Sequence, residues 1–202
     1  MTVVTTEIEP EPGARERLLF SALTLFNEKG YAAASVREIV EKAGVTKPVL
    51  YYYFGSKEGI YLELMETSYQ ILDSMAARAF SLAGFAQEKI IQFCGDLFDI
   101  SIESLPMVRL INSIYFGPPQ GTPKFDLDVF PARLTEVLQQ LVSSGMRESE
   151  LKEGSVEDVA GAVMAIVTST INEQICCREN KPDRDTMVRM LRLLMTGIAP
   201  TQ

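Results

Sequence analysis

Residues 35–58 read SVREIVEKAGVTKPVLYYYFGSKE, and this stretch decides the fold of the N-terminal part of the chain. Ser35 and Glu38 have the spacing of a capping box, so they predict the start of a helix. Apolar residues then recur at helical spacing until Gly44, which permits the turn that ends the helix. A second short helix is predicted to begin after Thr46. Two short helices joined by a tight turn are typical of a helix-turn-helix.

The second of these helices carries residue types that suit DNA. Leu50 and Phe54 form its apolar edge, which leaves a cation, a proline and several tyrosines for the other faces. These residue types suit contact with phosphates, base edges and sugar methylenes. On spacing alone, an ordinary helical hairpin with its aromatic residues in the core remains the alternative.

The flanking sequence extends the helical pattern in both directions. A first helix is expected after Arg15 and ends at Gly30, and a long amphipathic helix runs from Ser56 to about Ala79. Glycines and prolines separate five further expected helices, at about 86–104, 106–116, 125–147, 155–179 and 184–197. No run alternates as strands require. The predicted fold class is all-α, with a three-helix N-terminal helix-turn-helix domain followed by a helical bundle.

Composition divides the chain into three parts. Residues 1–12 contain three glutamates and two prolines without an apolar face, so we expect a flexible arm. Residues 13–57 hold seven basic and four acidic residues, although the whole chain has a net charge of -8. This local positive charge modestly favours a nucleic-acid contact there. Residues 58–202 carry most of the negative charge and are expected to form a separate helical domain.

The residue inventory argues against catalysis. The chain has no histidine, which excludes serine-histidine and cysteine-histidine pairs and imidazole-bound zinc. Asp96, Asp99 and Glu103 share one helical face, but a solvated face is favoured over a metal or acid-base site. Cys176 and Cys177 are interpreted as an ordinary thiol pair rather than a redox sensor. We therefore expect no enzyme activity, no metal and no cofactor.

The expected location is the cytoplasm. Three cysteines are few, which suits a reducing compartment. The first residues show no signal-peptide pattern, and the longest uncharged helical run, Val159–Asn172, is too short to span a bilayer. We expect no contact with the membrane.

Residues 15–61, with the motif at 35–58 quoted above, resemble the TetR family of bacterial transcriptional regulators. The resemblance places Lys47, Pro48 and Val49 at base edges. It places Arg37 at a base or a nearby phosphate. The phosphate anchors that it implies are Ser35, Thr46, Tyr51, Tyr52 and Lys57. Pro48 departs from the small residue, often glycine, that many members have, so the operator sequence does not follow. The resemblance makes residues 13–57 the DNA-binding domain and 58–202 the ligand-binding and dimerisation domain.

A two-fold homodimer is expected because one recognition helix reads too few base pairs for specificity in a genome. The two copies would contact double-stranded DNA about 34 to 36 Å apart. The last two helices, at about 155–179 and 184–197, are the predicted interface, since they carry more apolar residues than one bundle needs. These residues are Val156, Val159, Ala160, Val163, Val167, Ile171, Met187, Met190, Leu191, Leu194, Met195 and Ile198. The alternative is that both helices only cover their own domain.

The middle helices are apolar over most of their circumference, which places them inside a bundle. The resemblance implies a ligand cavity among them, whereas a filled core is the alternative for each residue. The candidate lining residues are Phe93, Leu97, Met107, Ile111, Asn112, Tyr115, Phe116, Phe130, Leu134, Met164, Thr168 and Asn172. The expected effector is a largely hydrophobic small molecule.

Together these observations favour a dimeric repressor that a hydrophobic small molecule releases from a palindromic operator. An activator, or a regulator that responds to another protein, is the first alternative. A helical enzyme or carrier of a lipid-like molecule, with a degenerate DNA-binding head, is the second.

Overall fold

The computed structural model describes residues 13–176, 179 and 181–198, so the expected arm at 1–12 lies outside the described residues. Within these ranges the chain is all-α, as predicted, and contains no strand. The helices are α1 (Ala14–Ala33), α2 (Val36–Ala43), α3 (Lys47–Phe54), α4 (Lys57–Ala79), α5 (Ala86–Glu103), α6 (Leu105–Tyr115), α7 (Val129–Arg147), α8 (Val156–Ile175) and α9 (Arg184–Ile198). Among these helices, none is both long and apolar enough to cross a membrane.

The chain divides into two compact units. The first contains the described part of Met1–Leu64 together with Pro118–Lys124, and the second contains Met65–Gly117 and the described part of Phe125–Gln202. The first unit therefore extends beyond the expected boundary at residue 57 into the first turns of α4. The first unit also includes Pro118–Lys124 from the middle of the chain. No local sequence pattern predicts that this segment belongs to the first unit.

The local signals that predict α2 are present in the first unit. The backbone N–H of Glu38 donates to Ser35 Oγ over 3.3 Å, and the backbone N–H of Ser35 donates to Glu38 Oε2 over 3.0 Å. Hydrogen bonds from Lys29 first, and then from Ser35, lower the pKa of the Glu38 carboxyl to about 2. At the other end, Gly44 adopts the left-handed conformation with φ 65° and ends the helix.

Two helix ends in the first unit differ from the expectation. Gly30 interrupts α1 with φ 81° and ψ 160°, but a short helical turn continues beyond it to Ala33. Thr46 precedes α3, yet its side chain makes no capping hydrogen bond. Its backbone oxygen accepts from the N–H groups of Val49 and Leu50 instead. The Thr46 hydroxyl is thus not used to begin the helix.

The second unit has a core formed by residues of α4, α5, α7, α8 and α9. Residues 125–128 were expected in α7 but precede it, because the Asp126 carboxylate accepts the backbone N–H of Asp128 in a turn. The helix expected to reach 179 ends at Ile175, where Lys181 Nζ donates to the backbone oxygen of Gln174 over 2.8 Å. Pro106 lies in the first turn of α6, which tolerates proline.

Two of the three carboxylates that share one face of α5 are engaged by neighbouring side chains. Arg184 Nε donates to Asp99 Oδ2 over 2.9 Å, and Gln92 Nε2 donates to Asp96 Oδ1 over 2.7 Å. Cys94 is buried in the core, and burial raises the pKa of its thiol to about 12. Cys176 is exposed, whereas Cys177 lies outside the described residues.

Gly44 provides a direct test of the turn between α2 and α3. Gly44→Ala is expected to lower the free energy of unfolding by about 1 kcal/mol, because a Cβ disfavours the left-handed backbone. No heavy atom lies within 4 Å of the position a Cβ would take, so the loss is conformational rather than steric. Gly44→Asn is the control, and its loss should be smaller because asparagine tolerates this conformation. Denaturant unfolding measures both, and an unchanged stability for Gly44→Ala would contradict the role of the turn.

Candidate nucleic-acid interface and ligand cavity

The first unit uses most of its cations internally. The engaged residues and their partners are Arg15 with Glu63, Arg17 with the Ala43 carbonyl, Lys29 with Glu38, Arg37 with Glu41, Lys42 with Glu28, and Lys57 with two carbonyls. Lys47 is the remaining basic residue of 13–57. It is exposed in the first turn of α3 and has no hydrogen-bond or ion-pair partner within the described ranges.

Aromatic side chains extend the same exposed face of α3. The Tyr52 side chain is 82% exposed, and those of Tyr51 and Tyr53 are about half exposed. Tyr52 and Tyr53 are in edge contact, with ring centroids 5.0 Å apart. By contrast, Leu50 is fully buried. The alternative of a hairpin with its tyrosines in the core therefore does not describe this unit. Tyr53 is exposed as well, although it was not among the expected contacts. Its position directly after Tyr51 and Tyr52 was the signal that could have added it to that set.

The expected DNA contacts lie at the start of α2, at Thr46 and along α3, and at Lys57, the first residue of α4. Exposed side chains in this set are Ser35, Arg37, Thr46, Lys47, Pro48, Tyr51 and Tyr52, and half-buried ones are Val49 and Lys57. The Ser35 hydroxyl also accepts the capping hydrogen bond of α2. The Arg37 guanidinium is held by the Glu41 carboxylate one turn further along the helix, over 2.7 Å.

Lys57 is placed differently from the other expected phosphate anchors. Its Nζ donates to the backbone oxygens of Tyr31 and Ala34, over 2.8 and 2.9 Å, and lies 4.1 Å from the Tyr31 ring centroid. Burial lowers the pKa of this ammonium group. Two of its three N–H groups thus bind the end of α1, which leaves one for any other partner.

The second unit contains an open, mostly apolar cavity of about 540 Å³. The expected residues that line it are Leu97, Met107, Ile111, Asn112, Tyr115, Phe116, Phe130, Leu134, Met164, Thr168 and Asn172. Residues that the sequence did not single out for this role are Ser68, Ile71, Leu72, Met75, Ile100, Ser101, Ser104, Val108, Leu127, Pro131 and Ile171. Several of these residues continue the apolar faces of α4 and α5, and this helical spacing was the signal that could have predicted them as lining residues.

Phe93 was expected at the cavity and does not line it. The side chain is 1% exposed and belongs to the core of the second unit. Phe93 lies one turn before Leu97 on the same face of α5, so it packs beyond the end of the cavity. Helical spacing alone does not show where along a face a cavity stops.

Hydrogen bonds hold most of the polar groups at the cavity. Asn112 Nδ2 on α6 donates to Asn172 Oδ1 on α8 over 2.9 Å. The Tyr115 hydroxyl donates to Asp128 Oδ1 over 2.7 Å, and this bond is the main cause of a raised Tyr115 pKa. Thr168 Oγ1 donates to the Met164 carbonyl over 2.8 Å. The arrangement suits a mostly apolar small molecule with a few polar anchor points.

The apolar stripe expected to form a dimer interface faces the chain's own core instead. Its buried members are Ala160, Val163, Val167, Ile171, Met187, Leu191 and Met195. Helical periodicity identifies an apolar face but not what covers it, so these residues were wrongly assigned. Leu193 on α9 is 77% exposed, Met190 is 36% exposed, and Gly161 and Ala165 lie exposed on α8. Of the predicted interface residues, Met190 is thus exposed, and Val156, Val159 and Leu194 are half-buried.

Comparisons with known proteins agree with this geometry. The family model described as bacterial regulatory proteins, tetR family, matches residues 18–64. The HTH-type transcriptional activator FasR of Mycolicibacterium smegmatis is 28% identical over 181 residues, which cover 89% of this chain and 80% of FasR. The uncharacterized HTH-type transcriptional regulator YdgC of Bacillus subtilis is 26% identical over 191 residues, which cover 93% of this chain and 93% of YdgC.

Solved structures show the same fold. The TetR family transcriptional regulator PfmR from Thermus thermophilus superimposes with a TM-score of 0.71 at 24% identity, covering 91% of this chain and all of that chain. The described helices, the exposed face of α3 and the match at residues 18–64 lead to one assignment. This chain is a TetR-like transcriptional regulator, in which residues 18–64 form a helix-turn-helix DNA-binding domain of the tetR family.

Proposed function

We propose that this chain is a homodimeric, cytoplasmic repressor that binds a palindromic operator and is released by a hydrophobic small molecule. The observation that carries the DNA contact is Lys47. It is exposed beside Tyr51 and Tyr52, while the other cations of residues 13–57 are engaged within the first unit. A cation without an internal partner at the start of a recognition helix is available for a phosphate or a base edge.

The other expected contacts are assigned around Lys47. Pro48 and Val49 are proposed to lie against base edges, and Arg37 is proposed to reach a base or a nearby phosphate once it leaves Glu41. The phosphate anchors are proposed to be Ser35, Thr46, Tyr51 and Tyr52. We propose that Lys57 mainly positions α4 against the end of α1, with its remaining N–H available to a phosphate.

The similarity to the activator FasR supports activation as the second candidate function. A reporter gene placed behind the operator distinguishes the two. Deletion of the regulator raises expression if the chain represses and lowers it if the chain activates. Both outcomes are consistent with the proposed contact between α3 and DNA.

Lys47→Ala tests the DNA contact with Lys42→Ala as the matched control. Both variants lose one positive charge from the same unit, but Lys42 lies 3.7 Å from Glu28 and outside the exposed face of α3. Lys47→Ala and Tyr52→Ala are each expected to weaken operator binding about tenfold or more, and Lys42→Ala by much less. Fluorescence anisotropy on an operator fragment selected from the native chromosome measures the affinities. Equal effects of the two lysine variants would contradict the assignment.

The dimer is proposed to form through the outward faces of α8 and α9. Leu193 and Met190 are exposed large apolar side chains on α9, and Gly161 and Ala165 allow close approach on α8. Exposed apolar area of this kind is favoured in contacts between copies. A two-fold arrangement would present two copies of α3 to the two halves of an operator.

Leu193→Glu is expected to convert the dimer into a 22.4 kDa monomer, because it places a charge in the proposed contact. Ile102→Glu is the control, since Ile102 is also an exposed apolar residue of the second unit but lies on α5. Size-exclusion chromatography with light scattering gives the mass. A Leu193→Glu variant that stays dimeric, or a native chain that is already monomeric at micromolar concentration, would overturn the interface.

The chain offers two covalent routes from the cavity to the DNA-binding unit. Helix α4 runs without a break from the first unit into the second, where Ser68 and Ile71 line the cavity. Pro118–Lys124 belongs to the first unit and is flanked in sequence by the cavity residues Phe116 and Leu127. We propose that a ligand changes the position of α4 and of this segment, so that DNA and ligand weaken each other equally.

The segment is anchored by its side chains. The backbone N–H of Tyr31 donates to Gln120 Oε1 over 3.3 Å, next to the break at Gly30. Thr122 and Tyr61 share a side-chain hydrogen bond. These contacts attach the middle of the chain to the end of α1 and the start of α4, which carry the recognition helix.

Gln120→Ala is expected to reduce this coupling and to leave each binding event nearly intact. In the native chain, saturation with a ligand such as decanamide should weaken operator binding about fivefold or more. In Gln120→Ala this factor should fall towards one, because the segment no longer holds the Tyr31 amide. Gln140→Ala, on α7, is the control. An unchanged factor in Gln120→Ala would exclude this contact as a route.

A further inference from the structure

The cavity in the second unit is lined by uncharged side chains only. Among the described residues that form its wall, none is a lysine, an arginine, an aspartate or a glutamate. A charged group transferred from water into such a site without a partner costs several kcal/mol or more, or has to lose its charge. The described part of the wall therefore offers no charged partner to an ionised ligand group, and its apolar part disfavours one.

A negative charge is in direct contact with one lining residue. The Asp128 carboxylate accepts the hydroxyl of the lining residue Tyr115, and both Asp128 and Asp126 raise the pKa of that hydroxyl. A carboxylate or phosphate that entered at this end would be repelled. A cation gains little as well, because Asp128 is already hydrogen-bonded and does not line the cavity.

One polar feature of the wall points to a particular kind of ligand group. The side-chain amides of Asn112 and Asn172 form a single hydrogen bond across α6 and α8. Whichever way the two amides are turned, one keeps an unshared N–H group and the other an unshared oxygen. A carboxamide presents the complementary acceptor and donor, whereas a carboxylate has no donor and an ammonium group has no acceptor.

We propose that the cavity takes an uncharged, mostly hydrocarbon molecule whose amide-like polar group, with one donor and one acceptor, binds the Asn112–Asn172 pair. This inference rests on the proposed role of the cavity as the effector site. It names the chemical class of that effector. Free fatty acids, acyl phosphates and amines are the classes that it excludes.

A set of ligands with one chain length tests the class. Decanamide, decanoate and decylammonium are titrated at neutral pH against the full-length protein that carries N-phenylnaphthylamine, a neutral fluorescent probe of apolar sites. Decanamide is expected to displace the probe at a concentration about tenfold or more below that of either ion. Equal or stronger displacement by decanoate or decylammonium overturns the proposal, and so does a failure of the probe and decanamide to bind.

Two variants with the same charge change make the test specific to this wall. Asn172→Lys is expected to reverse the order and favour decanoate, because it places an ammonium group beside Asn112 and removes half of the amide pair. Gln70→Lys adds the same charge on α4 outside the lining residues, and it should keep the native order. A native order in Asn172→Lys would show that the ligands bind elsewhere and would overturn the proposal.

Operator binding is measured on the same preparations, so that the two proposals fail separately. A protein that binds its operator but prefers decanoate keeps its regulatory function and refutes the uncharged class. A protein that prefers decanamide but binds no fragment of its chromosome keeps the ligand class and refutes the proposed function.

Discussion

The burial of Leu50 determines which side of α3 faces outward. Helix α3 is short, and it packs against both α1 and α2, with Leu50 fully buried. Burial of a leucine side chain contributes about 1.5 to 3 kcal/mol, which is large compared with any exposed contact on the same helix. Once Leu50 is inside, helical geometry turns Tyr51 and Tyr52 away from the core, and Lys47 is exposed because it lies in the first turn of the helix. The candidate DNA surface is therefore a consequence of the core.

The distribution of charge in the first unit sharpens this surface. A chain with a net charge of -8 is a poor general binder of nucleic acid. Ion pairs and backbone contacts engage the cations around α3, and Lys57 is held at the end of α1. Among the basic residues of 13–57, Lys47 is the one without a partner within the described ranges, and it lies beside exposed tyrosines. Such a site depends on accurate placement, which suits recognition of a particular sequence more than general attraction to phosphates.

Local signals predicted the features that depend on local chemistry. The capping box at Ser35, the left-handed Gly44 and the long helix after Ser56 are present because each depends on residues within one or two turns. The hydrogen bond between Gln120 and Tyr31 joins residues far apart in sequence, so no local pattern of apolar residues predicts it. Apolar spacing likewise identified most of the cavity wall, but it placed Phe93 there too and assigned the inward faces of α8 and α9 to a dimer.

Photo-crosslinking from α3 tests the central claim most directly. A photoreactive phenylalanine derivative in place of Tyr52 is expected to crosslink to operator DNA at two positions, one in each half of the site, related by two-fold symmetry. The same group at Gln70, on the exposed surface of α4 in the second unit, is expected to give no crosslink. Binding of the operator without a crosslink from position 52, or with equal crosslinking from both positions, would contradict the assignment of α3 as the element that contacts DNA.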